Sequence, residues 1–275
     1  MTLELGLLRL AIALYLAGTV AALVGVVVRQ ELPRALLSRV LWAAFVVHAG
    51  SIGVRSFVAG HLAVATFDEA LSFLGLLLVL VFLVVQSGRP LVALGAVVSP
   101  LAFGLTLAAD VLYEGARPLP PMLQSAWLPV HVMLSTLGDA VFGLACVASL
   151  LYLVKERLLK LRHAVGWLRL LPSLEALDRL NYACLVWGLV LLTLGIVSGI
   201  VWAHTAWGQR LWSSDPKLWF SLITWLIYVV LLQGRMTAGW RGRRAATLTI
   251  AGFAVIVVSL VGVNVLQLGE HGKAF

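Results

Sequence analysis

The stretch AATLTIAGFAVIVVSLVGVNVL, residues 245–266, contains no charged residue. An α-helix rises about 1.5 Å per residue, so a run of this length crosses the roughly 30 Å hydrocarbon core of a bilayer. Other apolar runs of similar length occur throughout the sequence that precedes it. This repeated pattern predicts a helical membrane protein.

The composition of the whole chain supports the same class. Of the 275 residues, 61% are apolar and only 12% are charged, against roughly 25% charged in a soluble domain. The short alternating segments of membrane β-strands are not found. We therefore predict a single all-α transmembrane domain, 1–275, with eight spans at about 7–28, 39–58, 67–86, 91–112, 127–153, 180–203, 217–234 and 245–266. The first run lacks a basic segment before it and a small-residue cleavage site, so we expect a retained helix.

Basic residues are unevenly distributed over the connections between these spans. Fourteen of the 20 lie in alternate connections, at Arg29, Arg34, Arg39, Arg89, Lys155, Arg157, Lys160, Arg162, Arg169, Arg179, Arg235, Arg241, Arg243 and Arg244. Because basic connections stay on the cytoplasmic side, this pattern predicts that both termini are external. The same bias accounts for most of the net charge of +8. The net charge can therefore be explained without a nucleic-acid partner.

Tryptophan is concentrated in the external connection between spans six and seven, at about 202–219. Five of the ten tryptophans lie in VWAHTAWGQRLWSSDPKLWFSLITW, residues 201–225. One interpretation is an aromatic belt at the membrane interface. The other is a platform on which a flat, apolar macrocycle stacks. Within this segment, Asp215 and Pro216 suit the N-cap and first position of span seven.

Four of the six histidines share the face of this loop: His61, His131, His204 and His271. Imidazole is a common axial ligand of haem iron, and two imidazoles beside a stacking surface would form a bis-histidine site. Zinc is the main metal alternative, but no paired HxxxH or CxxC spacing supports it. The pattern therefore favours non-covalent haem. Cys146 and Cys184 lie inside spans and are expected to be packing residues.

Two ionisable residues fall near the middle of the membrane. His48 is about ten residues into span two, and Asp139 is about twelve into span five. A charge at this depth is costly unless it is paired or hydrated. We predict that the two side chains hydrogen-bond each other, as structural support or as a candidate inner haem or proton site.

The 199–225 segment resembles the WWD signature of the CcsA/ResC/CcmC family of cytochrome c assembly proteins, which reads close to WGxYWxWDPKExWxxITW. The matching residues here are Trp207-Gly208, Asp215-Pro216-Lys217, Trp219 and Ile223-Thr224-Trp225. Further similarity lies at His48, Arg55, Gly60-His61 and Glu69, and at Gly262-Val263-Asn264 followed by His271. The resemblance covers most of the chain and implies eight spans.

By this resemblance, His131 and His271 are the two external axial ligands of the haem iron. The loop that cradles haem would consist of Trp207, Gly208, Trp212, Asp215 and Trp219. His61 and His204 are weaker candidates. His204 is not at a ligand position of the family. No catalytic residue is assigned.

The chain departs from the family pattern at two places. The family WxWD is Trp212-Ser213-Ser214-Asp215 here, without the Glu that follows PK. Where cytochrome synthases often carry the histidine of YLHTR, this chain has Leu232-Gln233-Gly234-Arg235. The second difference leaves open the HemX/YpjD-like branch, which is linked to haem biosynthesis.

The resemblance thus implies a multi-pass protein of the bacterial cytoplasmic membrane that binds haem at the outer face and delivers it to apocytochrome c. A CcsB-like membrane partner is expected, and the chain alone is more typical of a synthase subunit than of a stand-alone enzyme. A HemX-like accessory factor of haem synthesis is the alternative. A transporter that moves haem or another planar substrate past His48 and Asp139 is the third.

Overall fold

The computed structural model describes residues 2–28, 34–88, 92–113, 115, 124–161, 171–207 and 215–266. Within these ranges the chain forms eight α-helices: α1 (Leu3–Val28), α2 (Arg34–Ala59), α3 (Phe67–Gly88), α4 (Val92–Val111), α5 (Trp127–Lys160), α6 (Leu174–Trp207), α7 (Pro216–Thr237) and α8 (Arg243–Val265). All eight are long and apolar enough to cross a membrane. The predicted all-α fold with eight spans is confirmed.

The helices α5 and α6 extend beyond the predicted spans. Each has 34 residues and is therefore about 51 Å long, well above the roughly 30 Å of the hydrocarbon core. As a result, the predicted external loop at 202–219 is shorter than expected. Residues 202–207 complete α6, and residues 216–219 already belong to α7.

Antiparallel packing of successive helices gives the bundle two ends. One end, the termini face, carries the starts of α1, α3, α5 and α7 and the ends of the other four helices, as contacts of Glu4 with Ser51 and Tyr113 show. The opposite end, the arginine face, holds the end of α7 against the start of α6, where Arg235 pairs with Asp178 at 2.7 Å. The helices α1–α4 pack together, α5–α8 pack together, and α3 against α5 joins the halves.

Glycines let α5 and α6 approach closely. A Cβ at Gly138 would lie 3.3 Å from the backbone nitrogen of Leu192, and one at Gly188 would lie 2.7 Å from the ring of Phe142. Phe142 also stacks on Tyr228 of α7, with ring centroids 3.8 Å apart and an interplanar angle of 2°. These rings are part of the buried core of the α5–α8 half.

Candidate functional site

A cavity of about 150 Å³ lies between α5, α6, α7, α8 and the segment 64–67. Its walls are mainly aliphatic, with residues such as Leu192, Ile196, Ile256 and Leu260. Four ionisable residues line it: His131, Asp139, Asp215 and Lys217. The cavity therefore combines an apolar wall with few polar groups, as small-molecule sites commonly do.

The imidazole of His131 is fixed by a backbone carbonyl. Its Nδ1 lies 2.9 Å from the carbonyl oxygen of Gly195, and Ser135 Oγ is 3.4 Å from the same nitrogen. A carbonyl oxygen only accepts, so Nδ1 carries the hydrogen, and Nε2 of the neutral ring carries the lone pair. This is the arrangement of metal-binding histidines, which usually donate their other N–H to a carbonyl or carboxylate.

The place occupied by His131 depends on a residue without a side chain. A Cβ at Gly199 would lie 2.6 Å from Cε1 and 2.8 Å from Nδ1 of the imidazole. On the next turn of α6, Trp202 is 1% exposed and stacks on His131, with centroids 6.0 Å apart and an angle of 14°. Gly195, Gly199 and Trp202 were not predicted as site residues. Their signal in the sequence is the spacing of four and three residues, which places them on one face of α6.

The start of α7 forms another part of the cavity wall. Asp215 is the N-cap, and its carboxylate accepts a 2.9 Å hydrogen bond from the backbone N–H of Lys217, with Pro216 in the first turn. This confirms the prediction that Asp215 and Pro216 start the helix. Asp215 is only 2% exposed. It thus lines the cavity while capping the helix.

The second wall is the short segment between α2 and α3. The Glu69 carboxylate accepts hydrogen bonds from the backbone N–H groups of Ala65 and Thr66, at 2.8 and 3.1 Å. Arg55 of α2 pairs with Glu69 and with Asp68 at 2.8 Å each, and all three side chains are buried. We call Arg55, Asp68 and Glu69 the clasp. It fixes the cavity wall because Ala65 and Thr66 line the cavity.

Tyr113 joins the clasp to the start of the chain. Its ring lies beneath the guanidinium of Arg55, 4.7 Å from ring centroid to Cζ, and its hydroxyl donates to the carboxylate of Glu4. Burial and the neighbouring Glu4 carboxylate raise the pKa of Tyr113 to about 12. The neutral phenol is therefore the form that the folded protein favours.

His48 has an environment of a different kind. It is 0% exposed, and hydrogen bonds join Nδ1 to the Tyr15 hydroxyl at 3.2 Å and Nε2 to the Ser72 hydroxyl at 2.8 Å. Asp139, by contrast, faces the cavity. The prediction that His48 and Asp139 hydrogen-bond each other is therefore wrong, because other side chains occupy both ring nitrogens. His48 and Asp139 have a similar depth in the membrane, but their side chains lie on helix faces that point to different parts of the bundle.

The remaining predicted residues are only partly described. His204 is exposed at the end of α6, and His61 places Nδ1 3.1 Å from the carbonyl oxygen of Leu62. Trp219 is 56% exposed and does not line the cavity. Trp207 ends α6. Gly208, Trp212 and His271 lie outside the described residues, as does the centre of the predicted stacking platform.

Metal-ligating side chains do not cluster in the ranges that the structure describes. No group of three His, Cys, Asp or Glu residues there is arranged to hold a metal ion. The fold and the cavity together define a multi-pass helical membrane protein in which an imidazole lines a mainly apolar cavity. This class of site suits an aromatic, metal-containing guest more than a bare ion.

Comparison with known proteins identifies the family. The sequence profile described as "Cytochrome C assembly protein" matches residues 64–271. The chain is 34% identical to the cytochrome c biogenesis protein CcsA of Synechococcus sp. (strain CC9605) over 264 residues, covering 86% of each chain. It is also 34% identical to CcsA of Guillardia theta over 241 residues, 80% of this chain and 79% of the relative. The chain belongs to the cytochrome c assembly protein family.

Proposed function

We propose that this protein binds non-covalent, b-type haem at the termini face and passes it to apocytochrome c. His131 and His271 are the two axial ligands in this proposal. The main support is the geometry of His131, which lines the cavity and whose Nδ1–H donates to the carbonyl oxygen of Gly195, as the supporting N–H of a metal-binding histidine usually does. Family membership, which implies haem handling, supports it independently.

The chemistry of the described residues supports a porphyrin as the guest. Gly199 leaves room for the imidazole, aliphatic side chains of α6 and α8 line the cavity, and Trp202 holds the ring of His131 in place. When bound, haem supplies the iron and the reactive porphyrin that cytochrome c assembly transfers. The chain itself contributes ligation, orientation and exclusion of water. Trp207, Gly208, Trp212, Asp215 and Trp219 are proposed to complete the cradle.

The termini face is the external face of the bacterial cytoplasmic membrane in this proposal. The described basic residues Arg235, Arg241 and Arg243 lie at the opposite end of the bundle, which supports an internal arginine face. Because most of the chain is membrane-spanning helix, a CcsB-like partner is proposed to bring the apocytochrome to the termini face. The chain would then be a subunit of a synthase and not a complete enzyme.

The absorption spectrum of the purified protein, with and without reductant, tests haem binding. We expect a Soret band in protein produced with ample haem, and a weaker or shifted band in His131→Ala and in His271→Ala. Addition of imidazole to His131→Gly should restore the wild-type spectrum, since free imidazole can occupy the place of the missing side chain.

His204→Ala is the matched control, because His204 is on the same face but is exposed and does not line the cavity. Its spectrum should be unchanged. Wild-type protein that lacks haem despite ample supply would overturn the proposal. Loss of haem in His204→Ala alone would show that the wrong ligand was assigned.

A second candidate function is that of a HemX-like accessory protein of haem synthesis. The observation that favours it is Gln233, which stands where synthases often carry a histidine and is exposed on α7. A HemX-like protein would bind haem without supporting cytochrome c maturation. Deletion of the gene separates the two: loss of c-type cytochromes supports assembly, whereas altered haem content with normal cytochromes supports the accessory role.

A further inference from the structure

Asp139 lines the cavity with its carboxylate. It lies eight residues beyond His131, on the same face of α5 as His131 and Ser135, and about 12 Å deeper along the helix axis. It accepts no hydrogen bond from any part of the chain that the structure describes. The ammonium of Lys217 attracts it across the cavity. A carboxylate at this depth requires a partner, water or a proton.

The charged surroundings of Asp139 come from two helices. Lys217 and Asp215 line the same cavity at the start of α7, His131 lines it on α5, and Tyr228 lies near Asp139 on α7. The described cavity walls on α6, α8 and 64–67 contribute only aliphatic, aromatic, hydroxyl and amide groups. Lys217 is thus the cation that opposes Asp139.

Access to Asp139 is from the termini face. One turn deeper, Phe142 and Tyr228 stack on each other and are fully buried. The Tyr228 hydroxyl donates to the carbonyl oxygen of Thr249, so it is held in place. A proton that reaches or leaves Asp139 therefore passes through the cavity and past His131.

We propose that Asp139, opposed by Lys217, is a proton-exchange site that offsets the charge of the iron at His131. The inference rests on the proposed function. With haem bound, reduction of the iron by a one-electron donor would remove one positive charge from the site, and the Asp139 carboxylate would take up one proton from solvent. Oxidation releases the electron and the proton again. The net charge of the cavity is then constant.

The expected coupling follows from the separation. His131 and Asp139 are offset by about 12 Å along α5, and two unit charges at about that separation change an acid dissociation constant about tenfold at an effective dielectric constant of about 20. Reduction of the iron therefore raises the proton affinity of Asp139 about tenfold. By linkage, the midpoint potential falls as pH rises through the range in which Asp139 exchanges its proton.

Redox titration of the haem-loaded protein from about pH 5 to pH 9 tests this coupling. We expect a pH-dependent midpoint potential in wild type and a nearly constant one in Asp139→Asn, which keeps the size of the side chain. Lys217→Gln should move the pH-dependent range upward, since it removes the cation that stabilises the carboxylate. Asp110→Asn, in the exposed pair with Arg9 at the end of α4, is the control and should behave as wild type. Equal pH dependence in wild type and Asp139→Asn would overturn the proposal.

Infrared spectroscopy of the haem-free protein separates this inference from haem binding itself. The carbonyl band of a protonated carboxyl should appear as pH falls in wild type and in Asp110→Asn, and should be absent in Asp139→Asn. A wild-type spectrum without a band that is specific to Asp139 would overturn the proton site, whether or not haem binds. A protein that shows the band but never binds haem would refute the proposed function and, with it, the coupling to iron.

Discussion

His48 and His131 mark two regions of the bundle in which the same residue type is used differently. His48, between α1, α2 and α3, is fully buried and has a side-chain partner on each ring nitrogen. His131 faces a cavity, and the contacts that orient it reach Nδ1, from Gly195 and Ser135. The first arrangement joins helices. The second orients a ring that lines a cavity.

This difference shows what distinguishes a structural histidine from a binding one in a membrane. Both residues lie within helices, so depth and polarity do not separate them. The feature that separates them is the cavity, because His131 lines it and His48 is enclosed by side chains of neighbouring helices. The clasp joins the two regions, because Arg55 is on the helix of His48 and Glu69 holds the wall next to His131.

Filling the space beside His131 should have the largest effect. Gly199→Val places a side chain where the imidazole now lies, 2.6 Å from the position of the added Cβ. The ring must rotate away from Gly195, so we expect haem affinity to fall about 10- to 100-fold, as when the support of a metal ligand is lost. Titration of the haem-free protein with haem measures this change.

Gly104→Val on α4 is the control, because nothing lies within 4 Å of a Cβ at that position. It should bind haem as wild type does. Similar losses in both variants would mean that the valine disturbs the helices in general, and the contrast between the two histidine regions would no longer hold.

Breaking the clasp should destabilise the junction of the two regions. Glu69→Ala leaves Arg55 with one carboxylate partner and removes the acceptor of the Ala65 and Thr66 N–H groups. Loss of one member of a buried ion pair costs about 3 to 5 kcal/mol. Thermal unfolding in detergent measures this cost. Asp110→Ala, whose ion-pair partner Arg9 is exposed, should cost at most about 1 kcal/mol, and equal losses would contradict a buried clasp.

Removing His48 should lower stability without affecting the haem spectrum. His48→Ala leaves the hydroxyls of Tyr15 and Ser72 without their shared partner, at a cost of about 1 to 3 kcal/mol. The melting temperature should fall while the Soret band stays unchanged. A changed spectrum would show that His48 contacts haem, and the two regions would then have one function.

The smallest effect is expected at high pH. The pKa of Tyr113 is raised to about 12, above the value of about 10 in an unfolded chain. Its contribution to stability is therefore complete below about pH 10 and is lost between about pH 10 and pH 12. The difference in stability between wild type and Tyr113→Phe should decline over this range. A difference that stays constant would contradict the buried contact with Glu4.

The fold could be predicted from apolar runs because bilayer thickness sets helix length. The start of α7 was equally predictable, since the cap at Asp215 is a local interaction between neighbouring residues. His131 was found through the family resemblance and its position at the start of a span. The ends of α5 and α6 could not be predicted from the apolar runs. Both helices continue beyond the hydrocarbon core into polar sequence, which includes Lys155 and Arg179.

The rest of the site depends on rotation and close contact between helices, which a single sequence does not reveal. His48 and Asp139 have similar depth, but only the face that each helix turns inward decides which one meets the cavity. Gly199 leaves room for the His131 ring because α5 and α6 approach each other closely there, and this approach cannot be read from the sequence. Trp202 counted toward a loop platform, whereas the longer α6 buries it against His131.

The glycines of α6 have a consequence for the genetics of this protein. Every missense change in a glycine codon adds atoms, so Gly195 and Gly199, whose missing side chains leave room for Ser135 and His131, have no conservative substitute. A selection for inactive alleles should therefore return these codons as readily as that of His131. Gly53 and Gly104 have open space around them, so amino-acid replacements there should leave the protein active. The mutational fragility of the site lies in residues that carry no chemistry of their own.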